Sequence, residues 1–136
     1  MALLLAGCAS AARTPQALQE MPDNKVWQVR ETVNAPLDVA YRNLLANARA
    51  CWRNPTVVEE DPFDEKLGYA RISVRLIGDA LIEGSVTGMV TLFPDGAGAT
   101  RLEARSLPML NRLNFENLAA RATGQKRDCD TSRQIY

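Results

Sequence analysis

Histidine does not occur in this sequence. Its absence removes the commonest general base, the side chain that normally titrates near neutrality, and the commonest metal ligand. Net charge is missing too, because sixteen Lys and Arg balance sixteen Asp and Glu. With no overall field to draw in polyanions, a dedicated nucleic-acid binder is not expected. No apolar run approaches the ~18 residues that a membrane-crossing helix needs. What remains suits one folded unit: 136 residues, 46% hydrophobic and 24% charged. A single core commonly serves ~50–250 residues.

Hydrophobic periodicity orders the chain. Val26–Val33 alternates as a strand, with Trp27, Val29 and Val33 opposing Gln28, Arg30 and Thr32. Glu31 falls on the apolar side, which an edge strand or a register error explains more simply than a cavity carboxylate. Asn34 is a suitable N-cap and Pro36 a suitable first-turn residue for a helix over Pro36–Trp52. Leu37, Tyr41, Leu44, Leu45, Ala48 and Trp52 form its apolar face. A strand at Thr56–Glu59 runs into the carboxylates Glu59, Glu60, Asp61, Asp64 and Glu65, read as a solvated hairpin tip. Leu67–Ile77 alternates with Ala70, Ile72, Val74 and Leu76 inward, and Gly78-Asp79 turns the chain. Leu81–Phe93 follows, with Ile82, Val86, Val90 and Leu92 inward and Gly84 and Gly88 as bend or bulge points. The Pro94–Gly98 loop returns the chain into Ala99–Ser106, and a second helix is expected over Leu110–Ala122 with Gly124 ending it.

These elements predict an α+β fold: four to five antiparallel strands with one wet face, and two helices on the other. The order resembles the helix-grip arrangement, and Val33-Asn34-Ala35-Pro36-Leu37-Asp38-Val39-Ala40-Tyr41 resembles the strand-to-helix junction of START-like domains. The same general shape occurs in periplasmic assembly lipoproteins, which implies a scaffolding role as one option.

Catalytic motifs fail on inspection. In Gly84-Ser85-Val86-Thr87-Gly88 the glycine spacing is wrong for a nucleophile elbow, and there is no histidine to serve it. Asp95-Gly96-Ala97-Gly98 leads into a strand rather than Lys-Ser/Thr and a helix, so it is a turn and not a phosphate loop. Pro62 and Phe63 interrupt the acidic run where a calcium loop needs ordered oxygen ligands and a turning glycine. No metal site, cofactor or enzyme activity is expected.

The strongest local signal lies near the amino terminus. Leu5-Ala6-Gly7-Cys8 resembles the signal box of bacterial lipoproteins, a Leu and two small residues before the acylated Cys. The resemblance implies that residues 1–7 are the remnant of a signal peptide. It also implies that Cys8 carries the lipid and that the protein is anchored to a membrane. Ala9 and Ser10 stand where an Asp would signal inner-membrane retention, which implies the outer membrane, facing the periplasm. Residues 8–24 are small, polar and punctuated by Pro15 and Pro22, and read as a flexible tether ahead of a domain at 25–136. With Cys8 acylated, Cys51 and Cys129 remain as an even pair in an oxidising compartment. A bridge between them closes a loop worth on the order of 4 kcal/mol and pins the polar carboxyl-terminal stretch to the first helix.

Arg71, Arg75, Arg101 and Arg105 lie on the polar sides of two strands. They form a basic stripe if those strands are neighbours, and a neutralised solvated face if Glu83 and Glu103 pair with them. The sequence therefore predicts a non-catalytic binding module of the cell envelope with a protein partner. The alternative is a carrier or sensor of a small apolar ligand, with Ile72, Val74, Val86, Val90 and the second helix lining a cavity of ~300–1,000 Å³ between sheet and helix.

Overall fold

The computed structural model describes residues 12–52, 56–77, 84–107 and 116–129. Its elements are α1 (Pro15–Glu20), a 3₁₀ turn (Asp23–Lys25), β1 (Trp27–Val33), α2 (Leu37–Cys51), β2 (Thr56–Asp64), β3 (Tyr69–Leu76), β4 (Val86–Pro94), β5 (Thr100–Ser106) and α3 (Leu118–Ala122). The five strands form one antiparallel sheet in the order β1-β5-β4-β3-β2. The fold is α+β, with α2 and α3 on one face, as the sequence pattern implies. The expected Gly78-Asp79 turn, Ile82, Glu83 and residues 110–115 of the expected second helix lie outside the described residues. The helix itself is shorter than expected, beginning only at Leu118 because the left-handed backbone of Asn117 cannot continue a helix.

Alternation decides the main core. Ala70, Ile72 and Val74 of β3, Val90 and Leu92 of β4, and Leu102 and Ala104 of β5 meet Ala40, Leu44 and Ala48 of α2 and Leu118 and Ala122 of α3. Asn34 is not the cap of α2. Pro36 holds that place with no side-chain cap bond, and its carbonyl accepts from Ala40 N at 3.0 Å. Asn34 is two residues too early for its side chain to serve the first amides, while Thr100 Oγ1 donates to Ala35 O at 2.8 Å and fixes the junction. The helix ends where Trp52 N donates to Ala48 O.

Val86 does not join this core. Gly88 pairs with Val74 but Val86 pairs with Arg75, so Thr87 is an extra residue in the strand. One inserted residue reverses the inward and outward sides. Val86 therefore points to the opposite face, and the bulge sits beside Gly88, one of the two glycines marked for it.

That opposite face is not wet. Ala12, Leu18, Val26, Val86 and Met89 form a second buried cluster, with Ala17, Met21 and Leu107 against it. The stretch expected as a flexible tether is folded from Ala12 onward, and Leu18 is 0% exposed. Thr14 caps α1 by accepting from Ala17 N at 3.0 Å, and Pro15 opens the helix. Composition misleads here because few apolar residues are needed to cover a small patch, and these fall where the patch is.

β2 also runs further than expected, through the carboxylates to Asp64, with an irregularity between Asp61 and Asp64. It is an edge strand, so its acidic side chains stay in water, and Pro62 falls at the irregularity. The tip is the shorter turn Glu65–Gly68, where Asp64 Oδ1 accepts from Lys66 N at 2.7 Å. No helix among the described residues is long and apolar enough to cross a membrane.

Candidate functional site

Cys51 in the last turn of α2 and Cys129 beyond α3 are bonded, with Sγ atoms 2.12 Å apart and Cα atoms 5.3 Å apart. The chain reaches Cys129 through an ordered turn. Gly124 takes a positive φ of 78°, its N–H donates to Arg121 O, and Lys126 N donates to Ala120 O. Glycine supplies this conformation without steric penalty, as a helix C-terminus requires. Arg121, 2% exposed, is gripped from three directions. Its Nη1 donates to Asn47 Oδ1 at 3.1 Å and Asp128 O at 2.9 Å, and its Nε donates to Glu116 O at 3.1 Å. Asn43 Nδ2 donates to Ala122 O at 2.9 Å. Asp128 is pulled below the usual carboxylate range by its backbone hydrogen bond and by Lys126. Together these contacts bind the two helices and the following stretch into one unit.

Glu31 has a defined task. Its Oε2 accepts from Ala119 N at 3.0 Å, close to the start of α3. Asn117, the cap residue, has a left-handed backbone (φ 61°) and no side-chain cap bond. A carboxylate from an edge strand therefore does what a local Ser or Asp usually does.

Between the sheet and the helices, Leu44, Asn47, Trp52, Ile72, Val90, Leu118 and Arg121 enclose about 10 Å³. That is the lower bound for one water molecule and far below the space for an apolar ligand. Asn47 Nδ2, buried without an acceptor, lines it. Ser85 is buried at the approach to β4, so Gly84–Gly88 presents no exposed hydroxyl. Asp95 N donates to Ala99 O, and Gly96 has φ 75°, which closes the Pro94–Gly98 hairpin as a turn. No group of His, Cys, Asp and Glu among the described residues can hold a metal ion.

The four arginines share one sheet face but do not form a stripe. β4 stands between the strands that carry them, and each has its own surroundings. Arg75 Nε pairs with Glu59 at 2.8 Å and Arg101 Nε with Glu103 at 3.5 Å. Arg105, 6% exposed, reaches back to the amino-terminal segment. It donates to Leu18 O at 3.2 Å, Met21 O at 2.6 Å, Asp23 Oδ1 at 3.1 Å and Gln28 Oε1 at 2.9 Å. Arg71 is equally buried at 7%. Its Nε donates to Thr91 Oγ1 at 3.1 Å, and its guanidinium lies 4.7 Å from the Tyr69 ring centre. Tyr69 meets Phe93 edge-on at 6.0 Å, and Arg101 lies 4.5 Å over Phe93. Glu83, the other expected neutralising carboxylate, lies outside the described residues.

No protein-family profile matches the chain, and no curated protein matches it. The residues themselves carry the functional argument. Sequence reasoning found the cysteine pair and the four arginines. It missed the aromatic pair Tyr69 and Phe93, although Phe93 lies directly across from Arg101 in the register that the Pro94–Gly98 turn imposes. It also missed Arg121, which no periodicity distinguishes from an exposed helix residue.

Proposed function

We propose that this chain is a bacterial lipoprotein, anchored to the outer membrane through Cys8, whose periplasmic domain is a non-catalytic binding module of the cell envelope. The observation that carries the reading is the Leu5-Ala6-Gly7-Cys8 box. The cysteine arithmetic supports it: of three cysteines, Cys51 and Cys129 are joined and Cys8 is the one left over. A disulfide accords with an oxidising compartment, and a triacylated residue accords with stable anchoring, which takes more than one acyl chain. Among the described residues, the cavity between sheet and helices is too small for an apolar ligand, which supports an interaction module over a carrier at that place. The partner is an envelope protein, the membrane being met through the lipid anchor, and no nucleic acid or cofactor is invoked.

Labelled palmitate fed to a bacterial host expressing the full-length gene product tests this directly. Label is expected in the wild-type protein and absent from the Cys8→Ser variant, with the wild type in the membrane fraction. An unlabelled wild-type protein in the cytosolic fraction refutes the reading.

A further inference from the structure

Three arginines of the described residues are more than nine-tenths buried: Arg71, Arg105 and Arg121. A guanidinium has five N–H donors, and removing its charge from water is costly unless those donors find acceptors. Arg105 and Arg121 meet that demand. Arg105 makes four hydrogen bonds, one of them to the carboxylate of Asp23. Arg121 makes three to side-chain and backbone oxygens, with additional interactions beyond them. Arg71 makes one, from Nε to the neutral hydroxyl of Thr91, and its Nη donors open to solvent. It forms no ion pair among the described residues. Asp61, directly opposite on β2, is exposed and does not bond to it.

The surroundings are aromatic and basic. Tyr69 supports one side of the Arg71 guanidinium, Phe93 continues the aromatic wall, and Arg101 adds a second, half-exposed cation on that wall. Ser73 lies two residues from Arg71 on the same strand face, 1% exposed, and its hydroxyl has no hydrogen-bond partner. A fork of uncommitted N–H donors beside an aromatic wall is suited to an oxyanion carried on an apolar body. Phosphate and carboxylate both match the fork, because each accepts two parallel N–H bonds.

We propose that Arg71 is the centre of an oxyanion-binding site on the α1 side of the sheet, with Thr91 orienting its guanidinium and Tyr69 and Phe93 flanking the ligand. This gives the binding-module reading a ligand class and rests on it to that extent. The test below reads Arg71 itself, so its failure is distinct from failure of palmitate labelling.

The probe is inorganic phosphate, titrated into the full chain against sodium chloride at matched ionic strength. Proton–nitrogen correlation spectra are expected to show a saturable shift of the Arg71 Nε–H, with smaller shifts at the Thr91 and Tyr69 amides. Phosphate is also expected to raise the thermal midpoint of the wild type, since a ligand that binds the native state stabilises it by mass action. Arg71→Met should retain the fold and lose both responses. Arg71→Lys should bind at least tenfold more weakly, because an ammonium cannot present two parallel donors. Vesicles of phosphatidylglycerol in phosphatidylcholine separate the sources. Arg71-dependent vesicle binding assigns a lipid headgroup, and a response to phosphate without vesicle binding assigns a soluble ligand. Absence of any saturable change at the Arg71 Nε–H overturns the proposal, and so does an equal phosphate response in Arg71→Met.

Discussion

Replacing Cys51 and Cys129 together by alanine removes a cross-link that spans 78 residues. In the chain-entropy model a loop of that length lowers the entropy of the unfolded chain by about 15 cal/mol/K, or about 4.5 kcal/mol at 25 °C. A small domain is stable by only about 5–15 kcal/mol, so the loss takes a large share of the total. The consequence has two parts that urea denaturation separates. The midpoint should fall steeply. The slope against urea should rise, because an unfolded chain without the bridge exposes more surface. A second loss is local: Asp128 follows α3 and supplies a carbonyl to Arg121, and that contact is held in place by the neighbouring Cys129. Hydrogen exchange at 124–128 in the native state should therefore quicken in the double variant. A fall in stability below about 1 kcal/mol, with an unchanged slope, would refute the view that the bridge acts by restraining the unfolded chain.

Glu31→Ala should cost about 1 kcal/mol by leaving Ala119 N without its acceptor, the usual cost of a lost helix cap, whereas Glu31→Gln should keep most of it; an alanine variant as stable as the wild type in urea would show that the contact contributes nothing. The Tyr41 hydroxyl is buried without a hydrogen-bond partner, and burial, then the nearby Glu60 and Asp61, raise its pKa above the ordinary 10.0. The folded protein thus keeps this proton at pH values where the unfolded chain has lost it, so stability declines as pH rises from about 10 toward the folded value. Tyr41→Phe should match the wild type at pH 7 to within about 1 kcal/mol and show a flatter alkaline decline, and identical declines would disprove the assignment.

The parts of the fold that follow simple periods are legible in the sequence. β3 and β5 alternate cleanly, and α2 carries its apolar residues at helical spacing, so their inner faces were named correctly. The largest difference has one cause, which is that polar residues occupy a second buried face. Ser73, Thr87, Thr91, Arg71 and Arg105 lie within it, and a pattern that reads polar as exposed calls that face wet. Arg105 makes the burial tolerable by donating to backbone carbonyls of the amino-terminal segment, an arrangement that sequence spacing cannot display. Val86 was misassigned because one extra residue at Thr87 reverses the alternation. Glu31 looked like an edge irregularity because its partner amide is 88 residues away. Of the candidate site, the arginines were visible as a set, but their separation by β4 and their different companions depend on strand order.

The way the amino-terminal segment is fastened determines how the molecule bears load. A pull on the residues ahead of Ala12 is resisted first by the bond from Val86 N to Ala12 O, and then by the fork of Arg105 on Leu18 and Met21. Both fastenings lead into β4 and β5, interior strands with a neighbour on each side. Traction at that end therefore reaches these two interior strands before it reaches β1, the next element along the chain.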